Sequence, residues 1–183
     1  MLSAVVVALS LIASPATADT TITFGVVTRD LTGDGIPETL TLTGIGKAID
    51  DLAVSFTIRA SDQILYTTNW HLTRVTFDAR GMISDQDLRT RLAQYGDWFF
   101  AASKFRSPAA FLSALQSSAR LHIPMIPQVI ASQMGDSVRA GVIWREMQAA
   151  PITTFEFSPG GDLVMTIGWS ATDRRFYNLL ECC

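Results

Sequence analysis

Leu52-Ala53-Val54-Ser55-Phe56-Thr57-Ile58-Arg59 is the stretch that decides the fold class of this 183-residue chain. Val54, Phe56 and Ile58 are apolar and recur at every second position. Successive side chains of an extended strand point to opposite faces, so this alternation predicts a strand with one buried side. Such a strand is typical of an antiparallel sheet that faces water on one side.

The next run of alternating residues extends from Ile64 to His71 and places Ile64, Tyr66 and Trp70 on one side. It predicts a second half-buried strand. If the two strands form a hairpin, their apolar sides must coincide, and this condition restricts the loop between them.

A three-residue loop at Ser61–Gln63 meets this condition, because it pairs Ile58 with Tyr66 and Val54 with Trp70. A two-residue loop would shift the register by one position and put the two apolar sets on opposite faces. The sequence therefore predicts the three-residue loop.

Strand signals also lie on both sides of this hairpin. Toward the N-terminus, residues 22–28 and 39–43 are rich in β-branched side chains. Toward the C-terminus, residues 152–158, 163–169 and 175–180 carry strand patterns separated by turn sequences. The chain thus has about four N-terminal and three C-terminal predicted strands.

Helix signals fill the region between the two groups of strands, at about 84–149. Helix starts are favoured at Ser84, at the Ser107-Pro108 pair and at either Asp136 or Ser137, and apolar residues follow each of them at helical spacing. The predicted fold is therefore α+β, with a largely antiparallel sheet and a helical insert packed on one face. Residues 19–183 are expected to form a single domain of this kind.

Residues 1–18 have the pattern of a secretory signal peptide. An apolar run from Ala4 to Ile12 precedes Ala16-Thr17-Ala18, which matches a small-x-small cleavage site before Asp19. The run is too short to span a bilayer, and no membrane span is predicted in the mature chain. The expected location is secreted or periplasmic.

Charge argues against one class of partner. The chain has 14 basic and 17 acidic residues, and its net charge is −3. A nucleic-acid-binding protein is expected to carry a basic surface, so no nucleic-acid partner is predicted.

Oxygen-bearing residues are concentrated between the first two predicted strands. Asp30, Thr32 and Asp34 alternate along the chain, and Glu38 adds a third carboxylate. The backbone carbonyl of Ile36 would supply a further oxygen. Several hard oxygens in a flexible arrangement suit Ca²⁺ better than Mg²⁺, which demands an octahedron, so these five residues form a predicted calcium site.

The loop at residues 30–38 follows the pattern D-x-[TDN]-x-D-G-x-x-[DE], with Gly35 in the glycine position. It resembles the calcium loops of FG-GAP and VCBS-type repeat proteins, which implies a bound Ca²⁺ between two strands. The resemblance covers this loop alone, without a second copy, so it does not imply a propeller. An EF-hand is disfavoured, because its twelfth position is Thr41 rather than Glu and its flanks are predicted strands. A polar turn without an ion is the alternative.

The histidines and cysteines give little indication of catalysis. His71 and His122 lack metal-ligand spacing, and no G-x-S-x-G elbow accompanies them, so no catalytic residue is predicted. Cys182 and Cys183 are adjacent, which disfavours an ordinary intrachain disulfide. A vicinal disulfide, a disulfide-linked dimer through either cysteine, a soft-metal site and two idle thiols are the options that remain.

Aromatic side chains allow two interpretations. They could line a ligand or sugar groove, but their spacing fits strand and helix periodicities and favours a core. The cluster from Tyr95 to Phe100 fits one helical stripe least well, and Gly96-Asp97 interrupts it. This cluster is the first place to expect a partner surface.

Together these features predict a secreted, non-enzymatic domain that has one structural calcium loop and recognises an envelope or extracellular partner. The alternative is a secreted hydrolase that uses a carboxylate or a histidine assembled by folding.

Overall fold

The computed structural model describes residues 20–48, 51–77, 80–117, 126–160 and 163–182. Three features of the sequence lie outside these residues, namely the predicted signal peptide at 1–18, His122, and the side chains of both cysteines. None of the helices in the described ranges combines the length and the apolar character needed to span a bilayer.

The first four strands form one antiparallel sheet in which every strand pairs with its neighbour in sequence. The strands are β1 (Thr20–Arg29), β2 (Glu38–Ala48), β3 (Asp51–Ala60) and β4 (Gln63–Thr73). Alternation in β3 is realised as predicted, because its apolar side chains are buried and the residues between them are more exposed. Short connections between consecutive antiparallel strands account for this simple order.

The β3–β4 hairpin has the predicted partners but a different loop. Val54 pairs with Trp70 and Ile58 with Tyr66, as expected. The loop itself contains two residues rather than three, since Ala60 already pairs with Gln63.

A bulge in the same hairpin explains why the register survives the shorter loop. The pairing shifts by one residue just after Ile58, where Arg59 faces Ile64. An extra residue in one strand brings the apolar side chains of β3 and β4 back to the same face of the sheet. A two-residue loop alone would place them on opposite faces. The prediction for Ile64 was therefore wrong, because the bulge turns its side chain outward, where it is 52% exposed.

Five α-helices lie in the middle of the described part of the chain. They are α1 (Arg74–Phe77), α2 (Asp85–Phe99), α3 (Pro108–Ser117), α4 (Ile126–Met134) and α5 (Ser137–Ala149). Residues 74–77 form a single helical turn directly after β4. The short helix α4 was not predicted, because prolines near its start obscured the helical pattern.

Three helices begin at predicted capping residues, namely Ser84, Ser107 and Asp136. The Ser84 hydroxyl accepts a hydrogen bond from the Asp87 N–H at 3.1 Å. The Asp136 carboxylate accepts one from the Arg139 N–H at 2.9 Å. Each cap satisfies a backbone donor that the helix leaves without an intrahelical partner.

The second sheet contains the C-terminal strands and one short strand from the helical region. Its order is β5 (Phe105–Arg106), β6 (Thr154–Gly160), β7 (Leu163–Ser170) and β8 (Arg175–Cys182), and all its pairs are antiparallel. The α+β class is confirmed, while the strands form two four-stranded sheets. The two-residue strand β5 is too short to give a periodic signal in the sequence.

Two apolar cores explain this arrangement. One core joins the inner side of the first sheet to α2 and to Phe155, Phe157 and Phe176 of the second sheet. The other joins the opposite side of the second sheet to α3, α4 and α5 through residues such as Tyr177 and Leu179. The second sheet therefore lies between two apolar layers, and the helices pack in two places.

Helix α2 approaches the first sheet very closely at Gly96. A Cβ atom at this position would lie 1.9 Å from the carbonyl oxygen of Phe24 in β1. A glycine is needed here because a side chain of any size would collide with the strand backbone. The same glycine that interrupts the aromatic run in the sequence thus fixes the contact between α2 and β1.

A side chain of α4 binds the backbone of one residue at the β8 edge of the second sheet. The Gln133 amide donates a hydrogen bond to the carbonyl of Asn178 in β8 at 2.8 Å. Its oxygen accepts one from the Asn178 N–H at 3.0 Å. A single side chain therefore satisfies both backbone groups of this edge residue.

Candidate metal centre

The predicted calcium loop connects β1 to β2 and is shaped by two glycines. Gly33 has φ = +76° and Gly35 has φ = +85°. Both values fall in the left-handed region, which glycine adopts without steric cost. The bend lets the acidic side chains on the two sides of the loop approach one another.

The carboxylates of Asp30 and Asp34 hold the loop backbone. Asp30 accepts hydrogen bonds from the N–H groups of Gly33 at 2.7 Å and Gly35 at 2.9 Å, one on each oxygen. Asp34 accepts one from the Ile36 N–H at 2.8 Å. The Ile36 side chain itself is 66% exposed, so the residue contributes to the loop through its backbone.

Glu38 is the most buried acid of the loop, with 2% of its surface exposed. One of its oxygens accepts a hydrogen bond from the Leu31 N–H at 2.7 Å, and the other accepts one from the Thr32 hydroxyl at 2.9 Å. A buried carboxylate requires such partners, because removal of a charge from water is costly.

The loop also docks against the segment that leads into β6. Leu31 is fully buried, and its carbonyl accepts a hydrogen bond from the Thr153 N–H at 3.2 Å. A Cβ atom on Gly33 would lie 2.9 Å from the carbonyl carbon of Pro151. The loop thus links the first sheet to the chain entering the second.

The three carboxylates gather at one point. Asp30, Asp34 and Glu38 each offer an oxygen within 4.8 Å of the oxygens of the other two. A carboxylate oxygen that accepts one hydrogen bond keeps a lone pair for a second partner. The donor set of three carboxylates and the Thr32 hydroxyl consists of hard oxygens, which fits Ca²⁺.

The same hydrogen bonds agree with the alternative of a polar turn, because every acid of the loop has protein partners. The calcium site and the polar turn differ in whether a cation balances the negative charge of the loop. Three carboxylates this close repel one another, and a divalent cation would relieve the repulsion.

The described histidine lies apart from this loop. The His71 side chain is 70% exposed, and its Nδ1 is 3.4 Å from the exposed carboxylate of Asp51. An exposed pair of this kind does not provide the enclosed site that a general base needs.

A second polar cluster was not predicted from the sequence. Asp173 accepts hydrogen bonds from the Arg139 guanidinium and the Tyr177 hydroxyl, and the Arg175 guanidinium lies 4.1 Å from the centre of the Tyr177 ring. The hydrogen bond from Tyr177 is the main cause that holds the pKa of Asp173 below its usual value. Burial raises the pKa of Tyr177, and the hydrogen bond to Asp173 adds to that effect. Arg139 and Asp173 are too far apart in sequence for a motif to reveal them.

The aromatic cluster from Tyr95 to Phe100 divides between core and surface. Phe99 is fully buried and Phe100 is 8% exposed, as a core interpretation expects, whereas Trp98 is 48% exposed. Burial raises the pKa of the Tyr95 hydroxyl, an effect that Trp70 opposes in part. Among these residues, only Trp98 offers a broad aromatic surface to a partner.

The functional interpretation of this chain rests on the geometry and chemistry of three features. The acidic loop, the Asp173 cluster and the exposed indole of Trp98 are the features to be explained. No family model, curated protein or solved structure matches the sequence or the fold.

Proposed function

We propose that this chain is a secreted or periplasmic, non-enzymatic domain that binds an envelope or extracellular partner and is stabilised by one Ca²⁺ in the loop at 30–38. The gathering of Asp30, Asp34 and Glu38 within 4.8 Å is the observation that supports it. The Thr32 hydroxyl and the Ile36 carbonyl complete the proposed set of oxygens.

The proposed role of the ion is structural. The loop contacts the segment before β6 through Leu31 and Gly33. An ion that fixes the loop would therefore also stabilise the junction between the two sheets. A ligand that binds only the folded state raises stability by mass action.

The hydrolase alternative has less support. His71, the described histidine, is exposed and pairs with the exposed Asp51. A catalytic base is expected in a cleft beside a positioned partner. The interpretation as a binding domain requires no such group.

Thermal unfolding of residues 19–183 in millimolar calcium and in excess chelator tests the proposal. Calcium at about 100 times its Kd would add about 2.7 kcal/mol, which raises the melting temperature by about 5 to 10 °C in a domain of this size. Magnesium at the same concentration is the control for a general effect of divalent cations, and we expect a smaller shift.

Single substitutions test whether the calcium-dependent shift in melting temperature arises at this loop. Asp34→Asn removes one carboxylate charge with little change in shape, so we expect the calcium-dependent shift to shrink or vanish. Asp62→Asn changes an exposed turn acid in a different hairpin and is the matched control. Equal melting temperatures of the wild type in calcium and chelator would reject the metal site and leave the polar turn.

A further inference from the structure

A groove of about 760 Å³ runs between α2 and the adjoining part of β6 and β7, and α1 forms part of its lining. The Trp98 indole is the large aromatic group exposed along it, with 48% of its surface accessible. Burial of an indole is strongly favourable, so a half-exposed indole in a concave site is a feature that calls for an explanation.

The indole is held in place from one side. The ring of Tyr95 stacks against it with 5.9 Å between centroids and an interplanar angle of 27°. Tyr95 is itself 4% exposed and packs edge-on against Phe24 and Phe77. The platform formed by Tyr95 and Trp98 is therefore anchored in the core and needs little reorganisation to receive a ligand.

Polar groups with free hydrogen-bonding capacity surround this platform. The Gln94 amide and the Ser158 hydroxyl both line the groove, and neither has a side-chain hydrogen-bond partner among the described residues. Within the described residues, the Arg91 guanidinium donates one hydrogen bond, to the Phe77 carbonyl at 2.9 Å, and a guanidinium can donate five. The groove thus combines an aromatic surface with side chains that can donate hydrogen bonds and side chains that can accept them.

Lys104 adds a fixed cation at the same place. Its Nζ lies 5.2 Å from the centre of a Trp98 ring and 3.0 Å from a Glu156 oxygen. The ion pair with Glu156 holds the ammonium group over part of the indole, and the remaining N–H groups of Lys104 can donate to a ligand.

We infer that this groove binds a saccharide. A sugar ring presents an apolar C–H face and a rim of hydroxyl groups, which matches the exposed part of the Trp98 indole and the amide, hydroxyl, guanidinium and ammonium groups near it. A lipid chain would favour an apolar lining throughout, whereas Arg91, Gln94 and Lys104 place polar groups among the apolar residues of this groove. The inference deepens the proposed binding role by naming a class of partner, and it requires no calcium.

Titration calorimetry of residues 19–183 tests it with soluble oligomers of glucose, N-acetylglucosamine and galacturonic acid as probes. The three arms distinguish a neutral, an acetamido and an acidic sugar. We expect saturable binding of at least one probe at millimolar concentration. Trp98→Ala should weaken it about tenfold, the size of one aromatic contact, and Gln94→Ala should weaken it severalfold.

Val138→Ala, which truncates a 79% exposed side chain on α5, is the control and should bind as the wild type does. Since Trp98 is half-exposed, its variant should melt near the wild-type temperature, which checks folding. The absence of heat with all three probes, or unchanged affinity in both groove variants, would overturn the inference. Binding that persists in chelator would support the groove even if calcium gave no thermal shift, so the two proposals can fail separately.

Discussion

Two polar clusters of this protein stabilise their carboxylates in opposite ways. In the loop at 30–38, three carboxylates approach within 4.8 Å and take their hydrogen bonds from backbone N–H groups and one hydroxyl. At the β7–β8 turn, Asp173 is held by the Arg139 guanidinium and the Tyr177 hydroxyl. The second cluster contains its own counter-charge, whereas the first shows no ion pair within the described ranges.

This difference indicates where an external cation would matter. Asp173 needs nothing from solution, because Arg139 balances its charge. The loop concentrates negative charge, and the burial of Glu38 increases the cost of that charge. We therefore expect stability to depend on calcium at the loop and on pH at Asp173.

Among the variants that test this comparison, removal of the Glu38 side chain should give the largest loss in the free energy of unfolding. Glu38→Ala leaves the Leu31 N–H without its acceptor in a buried position and removes the partner of Thr32. We expect a loss of about 2 to 4 kcal/mol in the free energy of unfolding, measured by urea denaturation in chelator.

Glu38→Gln sharpens this result. The amide keeps an acceptor for Leu31 but loses the charge, so it should retain more stability than the alanine variant and still lose the response to calcium. A glutamine variant with the full calcium shift would contradict the role assigned to this carboxylate.

Tyr177→Phe should have an intermediate effect, independent of calcium. It removes the hydrogen bond to Asp173 while keeping the buried ring, at a cost of about 1 kcal/mol near neutral pH. The pKa of Asp173 is lowered in the folded state, mainly by this hydrogen bond. Its contribution is therefore complete above the unfolded value of about 3.9 and is lost as the pH falls through the lowered value.

Urea midpoints at neutral pH and at pH values below about 3.9 measure this dependence. The difference between the wild type and Tyr177→Phe should shrink in acid. A constant difference across that range would show that the hydroxyl does not act through the Asp173 charge.

Thr32→Val should have the smallest effect. It removes the hydroxyl that donates to Glu38 and supplies one proposed calcium ligand, so about 0.5 kcal/mol should be lost in chelator and calcium affinity should fall severalfold. Isothermal titration with calcium measures the affinity. Thr28→Val, at an exposed position of β1, is the control, and equal affinities in the two variants would remove Thr32 from the ligand set.

Local patterns predicted much of the fold. The alternation in β3 and β4 gave the pairs Val54–Trp70 and Ile58–Tyr66, because the burial of one face determines the register. The bulge and the two-residue loop were missed. They depend on backbone geometry, such as φ = +48° at Ser61, that side-chain periodicity does not encode.

The candidate sites show the same limit. The acids at 30–38 could be grouped from sequence because they are close along the chain and a bend suffices to bring them together. The contact between Arg139 and Asp173 depends on how α5 packs against the second sheet, so it could not be predicted. Likewise, the exposure of Trp98 depends on which neighbours cover α2, and only tertiary packing decides this.

The Gln133 amide has a consequence for how the protein behaves at high concentration. Strand β8 is an edge strand of its sheet, and an unprotected edge strand is a template on which a foreign strand can add and start a fibril. The side chain from α4 engages the N–H and the C=O of Asn178, the two groups that an incoming strand would need there. Growth of the sheet into an aggregate would first have to displace this amide. An uncharged side chain therefore protects the protein against aggregation through β8.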